Sequence, residues 1–352
     1  MIDIDFIAGN NSDPASTSSY DAITVRFKGD SDPEQTVIVI DGGFSDVGND
    51  VVNHIAEHYG TDSVDLMIST HADSDHLNGL ITAIQQLNVN ELLIHQPDKY
   101  RDDLSEFTNL DNLNTLLAFA EERGVTITDP FTGLSMFSDR LVVLGPTESY
   151  YKELLKLQLD PLVKAAFADR TGLNSRLTSA IGNLFERAIS HLPFETLGDD
   201  GETHPRNNTS VITLLNFNGR KYMFTGDAGI PALEFAANEY EARFGSFAST
   251  PLAFFQVPHH GSKRNIGKTI LNRILGQPGA GFNDNYHAFI HAAKASTKHP
   301  SPKVTNALIR RGCKQTSLAV TNGQTKWHNR DSLPRIGWSS IAPYPILAED
   351  ED

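Results

Sequence analysis

The stretch that decides the reading is Val64-Asp65-Leu66-Met67-Ile68-Ser69-Thr70-His71-Ala72-Asp73-Ser74-Asp75-His76. Its first half is a short apolar run of strand length, and its second half is a polar turn carrying two imidazoles and two carboxylates within six residues. These four side chains cannot share one face of a strand or helix. A loop leaving a strand end can converge them, and convergent imidazole and carboxylate groups suit a zinc, manganese or iron ion. The plainer account, solvated loop residues, explains each one singly but not their crowding.

Outward from this turn, the pattern alternates. On the N-terminal side, residues 1–8 and 22–28 read as half-buried strands separated by a Ser/Asn/Asp-rich loop, and Thr36–Ile40 is a β-branched run stopped by Asp41-Gly42-Gly43. Residues 48–59 have helical spacing. On the C-terminal side, 78–87 and 108–123 read as helices, and 91–95 and 141–144 as strands. Strand–helix alternation of this kind predicts an α/β fold. Residues 211–217 and 221–225 form a hairpin across Asn218-Gly219, a type I′ signal, ending at Gly226-Asp227. A helix near 230–243 leads to strand 252–257 and Pro258-His259-His260-Gly261-Ser262, so another strand delivers histidines at its end. Strand 287–291, Lys298-His299-Pro300, a helix near 302–311 and a strand at 317–320 follow, with an acidic, frayed tail over 348–352.

Four ordered segments resemble the metallo-β-lactamase superfamily: Ile40-Asp41-Gly42-Gly43, His71-Ala72-Asp73-Ser74-Asp75-His76, Phe224-Thr225-Gly226-Asp227, and Val257-Pro258-His259-His260-Gly261-Ser262. Asp73 stands where that superfamily's His-x-His-x-Asp-His signature has its second His. This replacement resembles the hydrolase domain of ComEC-type DNA-uptake proteins and their soluble relatives. The resemblance spans about residues 20–325. It implies an αββα sandwich, two mixed β-sheets flanked by helices, as a single domain over residues 1–352. A helical insertion and linker would occupy residues 148–206, with its leucines as helical core or a surface for a protein partner or self-association.

The same resemblance implies two metal ions, zinc or manganese. His71 and Asp73 would serve one, Asp75 and His76 the other, and Asp227 would bridge them. His260 or His259 would complete the second site, with His260 preferred. Asp41 and Asn208 would stand behind the ligands. Asn207-Asn208 occupies the place where the wider superfamily has a third-motif His, and His204 is a candidate substitute. Asp75 would orient the attacking water, His299 would face the substrate and could donate a proton to a leaving oxygen or bind a phosphate oxygen, and Lys263 and Lys298 would meet it. Lys294 and Lys303 join these as a basic group near His299.

Composition narrows the chemistry further. The chain has 352 residues, 44 acidic and 29 basic, for a net charge of −15, so a polyanionic substrate needs a local positive exception. Bound divalent cations and the lysines around His299 would supply one. Cys313 is the single cysteine, which excludes an intrachain disulfide or a cysteine metal cage. No long apolar run suggests a membrane span, and a cytoplasmic location is expected. Neither Gly42-Gly43 nor Gly226-x-x-Gly229 is followed by the spacing of a nucleotide loop; both read as turns. The expected activity is hydrolysis of a phosphodiester in nucleic acid or a nucleotide. The alternatives are a carboxylic ester, lactam or lactone hydrolase and a non-catalytic scaffold held by metal.

Overall fold

The computed structural model describes residues 1–9, 15–105, 107–158 and 195–349. Sixteen strands are described. In the first sheet, β1 (Ile2–Phe6), β2 (Ala22–Phe27), β3 (Thr36–Gly42), β4 (Ser63–Ile68), β5 (Asn88–Leu93) and β6 (Thr126–Thr128) lie side by side in chain order. The second sheet contains β7 (Ser135–Met136), β8 (Leu141–Gly145), β9 (Ile212–Phe217), β10 (Arg220–Phe224) and β11 (Leu252–Gln256). A small ribbon, β12 (Gly276–Gln277) with β13 (Ala280–Gly281), precedes β14 (His287–Ile290) and β15 (Leu318–Val320), which complete the second sheet beyond β11. The last strand, β16 (Lys326–Arg330), returns to the first sheet and pairs antiparallel with β1.

Each sheet is antiparallel in one half and parallel in the other. β1 to β3 and β8 to β10 are meanders, whereas β3–β4–β5–β6 and β10–β11–β14–β15 run parallel. Parallel strands need covered faces, and helices supply the cover. The helices of the first half are α1 (Val47–His54), continued by a wider turn over Ile55–Tyr59, then α2 (Ser74–Gln86) and α3 (Leu110–Glu122). Val51, Ile55, Leu77, Leu80, Ile84, Leu113 and Leu116 are their buried stripe. After α4 (Glu148–Gln158), α5 (Ile230–Phe244), α6 (Lys268–Leu275) and α7 (Pro302–Arg310) cover the second sheet through Leu233, Ala236, Ile270, Ile274, Val304 and Leu308. Between the sheets, Phe6, Phe27, Ile40 and Leu66 meet Phe217, Tyr222, Phe254 and Phe289. The four-layer αββα order is the expected one.

The differences from expectation lie mainly in short or late elements. β6, β7, the β12–β13 ribbon and β16 carry little periodic signal of their own, and β6 and β16 gain their hydrogen bonds from a neighbouring strand; α6 was not expected although Ile270, Leu271, Ile274 and Leu275 fall on one helical face. Glu349 is not frayed: its carboxylate takes Arg310 Nη2 at 2.5 Å and Asn306 Nδ2 at 3.1 Å, and it bonds Thr196. The expected insertion is helical over α4 and irregular from 195 to 206; the rest of it, 159–194 with its leucines, lies outside the described residues. Among the described residues, no helix is long and apolar enough to cross a membrane.

Candidate metal centre

Parallel strands place their carboxyl ends together, and open α/β sheets keep ligand sites there. β3 carries Asp41 just before its last residue, β4 runs into His71, β10 into Asp227, β11 into His259 and His260, and β14 into His291. The first motif differs from the expected free loop, because α2 begins at Ser74 and puts Asp75 and His76 in its first turn. Asp73 occupies the N-cap position, yet its side chain makes no capping bond and is left to face the cleft. Close backbone contact fixes where this helix starts. A Cβ on Gly79 would fall 1.8 Å from the Gly42 oxygen, so only glycine lets α2 press against the end of β3. Asn109, at the head of α3, donates to the Ala72 carbonyl at 2.8 Å and clamps the turn from outside.

Asp41 is fully buried and does not face the cleft. Its Oδ1 accepts from Thr70 N at 2.8 Å, and its Oδ2 accepts from Thr70 Oγ1 at 2.6 Å and pairs with His76 Nδ1 at 2.8 Å. A carboxylate on one ring nitrogen turns the other nitrogen toward the cleft and raises its basicity. His260 is held the same way, with Nδ1 at 2.9 Å from the His291 carbonyl. His71 Nδ1 lies against Thr70 Oγ1 at 3.1 Å and Ser210 Oγ at 3.4 Å.

The opposite nitrogens converge on Asp227. Asp227 Oδ1 lies 3.4 Å from His76 Nε2, and Oδ2 lies 3.9 Å from His71 Nε2. Asp73 Oδ2 is 3.6 Å from His71 Nε2, whereas Asp75 Oδ2 is 3.9 Å from both His76 Nε2 and His260 Nε2. The two oxygens of Asp227 thus face two half-sites: His71 with Asp73, and His76 with Asp75 and His260. His260, rather than His259, faces the second. His259 approaches from the other side, its Nδ1 2.5 Å from Asp227 Oδ2, and Asn207 Nδ2 donates to that oxygen at 3.1 Å. Both histidines have positive φ, 46° and 57°, so a left-handed turn aims two consecutive rings into one cleft.

The donor set fits a divalent cation. His71 Nε2, His76 Nε2 and Asp227 Oδ1 are enclosed and have no hydrogen-bond partner, a costly condition that a bound cation would relieve. His71, His76 and Asp227 form one group whose ligand atoms lie within 4.8 Å of one another, and Asp75, His76 and His260 form another. Burial alone would raise the Asp227 carboxyl, but His259 and His76 hold it well below the usual carboxylate range. For His76, burial opposes charge, but Asp227, Asp41 and Asp75 raise the ring well above an ordinary histidine.

The residues around the cluster divide between the cleft and its backing. Asn208 turns away from the cleft: its Oδ1 accepts from Gly229 N at 3.0 Å and its amide donates to the Thr203 carbonyl at 3.4 Å, fixing the backbone after Asp227. Its neighbour Asn207 reaches the cluster instead, because the turn over Asn207–Thr209 points consecutive side chains in different directions. His204 Nδ1 accepts from Arg206 N at 3.1 Å and belongs to no potential ligand group among the described residues. Asp21, Ser210, Arg206 and Gln256 carried no sequence signal. Asp21 is buried against His260, His291 and Gln256, and burial pushes its carboxyl up to about 6 despite His260 and His76. Gln256 Oε1 accepts from Thr225 N at 2.9 Å while its amide donates to Asp21 at 2.8 Å, tying the two sheets together behind the cleft.

Above Asp73, Asp75 and Asp227 opens a cavity of about 630 Å³, walled by Arg206, Lys263, Arg264, Lys298, His259 and His299 among others. Lys294 and Lys303, expected with this basic group, are not in its wall. The His299 ring is 5.8 Å from that of His259 and 6.2 Å from that of His260. Burial, then His260 and His259, push its pKa down to about 4, so at neutral pH it is uncharged and offers an N–H hydrogen bond rather than an excess proton. A neutral ring suits the second of the two roles expected of it, a hydrogen bond to a phosphate oxygen, better than the first.

No family model matches this sequence, and no curated protein matches it. Among solved structures, the chain is similar to a diphosphatase of the PhnP family, at 10% identity over 94% of this chain and 98% of that one, with a TM-score of 0.40. It is also similar to a protein from Thermotoga maritima assigned to the metallo-beta-lactamases, at 14% identity over 64% and 78% of the two chains, TM-score 0.33. A metallo-beta-lactamase from Hirschia baltica aligns at 13% identity over 62% and 74%, TM-score 0.27. The functional reading below rests on the side chains of the cleft.

Proposed function

We propose that the protein is a metal-dependent hydrolase whose substrate is a phosphodiester, in a nucleic acid or a nucleotide. The observation that carries this reading is Asp227, which presents one oxygen to each of two imidazole–carboxylate sets at the floor of a cavity edged with positive side chains. His71, Asp73 and Asp227 would hold one ion, and Asp75, His76, His260 and Asp227 the other; zinc or manganese suits such mixed nitrogen and oxygen donors. Divalent ions bound there would supply Lewis acidity and positive charge at the attacked phosphorus. The chain's own groups do the rest. Asp41 fixes the His76 ring, Asp75 orients the attacking water, and Lys263, Lys298 and Arg264 hold the anion against a protein field of the wrong sign. Neutral His299 donates a hydrogen bond to a phosphoryl oxygen.

The test is metal content by elemental analysis, together with cleavage of single- and double-stranded nucleic acid, cyclic nucleotides and bis(p-nitrophenyl) phosphate with added Zn²⁺ or Mn²⁺. Wild-type protein should carry close to two ions per chain and cleave at least one class. Asp75→Ala should lose one ion and roughly 10³-fold or more of the rate. Metal without cleavage of any phosphodiester, alongside turnover of an ester, lactam or lactone, would sink the phosphodiester assignment.

A further inference from the structure

The two half-sites are not equivalent, and the difference is a guanidinium. Arg206 Nε lies 2.5 Å from Asp73 Oδ1, on the far side of the carboxylate whose Oδ2 faces His71. Asp75 has no such neighbour: among the described residues, its ion contacts are with His76 and His260 alone. A permanently charged group against a ligand carboxylate repels an incoming cation and has already neutralised part of the charge that would attract it.

The surroundings of Arg206 let its side chain leave without moving its backbone. Its carbonyl accepts from Thr209 N at 3.1 Å and Thr209 Oγ1 at 2.6 Å, and its N–H is taken by His204. The side chain, by contrast, is partly exposed and lines two spaces at once, the open 630 Å³ cavity and a void of about 20 Å³ bordered by His71 and His95. A guanidinium displaced from Asp73 therefore has somewhere to go, and in the open cavity it joins Lys263 and Lys298.

We propose that Arg206 is the resident cation of the His71–Asp73–Asp227 half-site until a metal ion replaces it. The half-site of Asp75, His76 and His260 fills first, the Arg206-guarded one second, and the released guanidinium turns into the cavity to bind the substrate's anionic group. This rests on the metal-dependent reading above. It makes the second ion the exchangeable one and Arg206 a specificity residue whose availability depends on metal loading.

Calorimetric titration of metal-stripped protein with Zn²⁺, and separately with Mn²⁺, tests the order. Wild type should show two steps at least about tenfold apart in Kd, and Arg206→Ala should tighten the weaker step by about tenfold while leaving the tighter one in place. Arg206→Lys, which keeps the charge, should fall between them and guards against a folding defect in the alanine variant. His260→Ala should remove the tighter step. Inorganic phosphate should bind metal-loaded Arg206→Ala about tenfold more weakly than loaded wild type. An unchanged or weakened second step in Arg206→Ala overturns the guarding role, and unchanged phosphate affinity overturns the second task. If wild type bound no ion, the metal-centre reading itself would fall; two ions bound with equal affinity, unaltered by Arg206→Ala, would remove only this inference.

Discussion

Two groups of carboxylates, one on β1 and one in the cleft, have partners that differ in kind. Asp3 and Asp5, both at 0% exposure on β1, are saturated by the protein. Asp3 takes Arg26 Nε at 2.8 Å and Trp327 Nε1 at 2.9 Å; Asp5 takes Arg335 through both terminal nitrogens, at 2.5 and 2.9 Å, and Tyr59 OH at 2.7 Å. Arg335 is itself packed over the rings of Trp327 and Trp338, at 4.3 and 4.9 Å. One imidazole also stands against Asp5, His54 Nε2 at 3.2 Å and without a hydrogen-bond partner, but in the cleft Asp227 meets three, His71, His76 and His259, and no guanidinium among the described residues. Guanidinium forks and indole N–H groups close a charge permanently; imidazoles held from behind leave room for one more cation. Asp227 is as deeply buried as Asp3 and Asp5, so burial does not distinguish a structural acid from a ligand. The atoms opposite it do.

The largest effect should come from removing a closing group. Arg335→Ala leaves Asp5 buried with one partner fewer, a change that costs about 3 kcal/mol when a buried pair is broken. The thermal midpoint should drop by about 5 °C or more, while metal stoichiometry measured on the folded protein stays as in wild type. A loss of metal instead would mean that the two clusters are one unit. Asp41→Asn should have the reverse profile: metal affinity weaker by about 10- to 100-fold in a chelator competition, with little change in secondary structure by circular dichroism. An unchanged affinity would show that the His76 ring is held by packing alone.

Acid titration gives the smallest effect and the sharpest contrast. Burial would raise Asp5, but His54 and Arg335 bring its pKa down to about 2 from 3.8. Its contribution, about 2 kcal/mol from that shift, is fully present above pH 4 and is lost as pH falls toward 2. Denaturation midpoints of wild type and Asp5→Asn, measured in the presence of chelator, should therefore differ at pH 5 and converge near pH 2. Curves that stay parallel across that range would show that Asp5 is not the group being titrated.

What could be read from the sequence was whatever is encoded by consecutive residues. The His71–His76 segment, the Asn218-Gly219 turn and the apolar strands before each motif are local signals, and the structure brings His71, Asp73, Asp75, His76, Asp227, His259 and His260 into one cleft. Asp21 could not be read this way, since it lies in a polar stretch and is tied to Gln256, 235 residues further on. Arg206 lay in what reads as a linker. The Asn207 and Asn208 roles turn on side-chain direction within one tight turn, which a pair of identical letters does not reveal. β16 is amphipathic only weakly and becomes a strand because β1 offers an unpaired edge.

That closing strand also has a consequence for how the protein is made. Ile4 pairs with His328, and Asp5 meets Arg335, so β1 takes its edge partner from a segment synthesised long after it, 330 residues further along in the case of Arg335. At about 5–20 residues per second, β1 waits on the order of tens of seconds with an open edge, Asp3 without Trp327 and Asp5 without Arg335. Throughout that interval the nascent chain can finish the His71–His76 turn but not the sheet that carries it. A ribosome stalled before residue 326 should therefore hold a chain that a protease or a holding chaperone still recognises as unfinished.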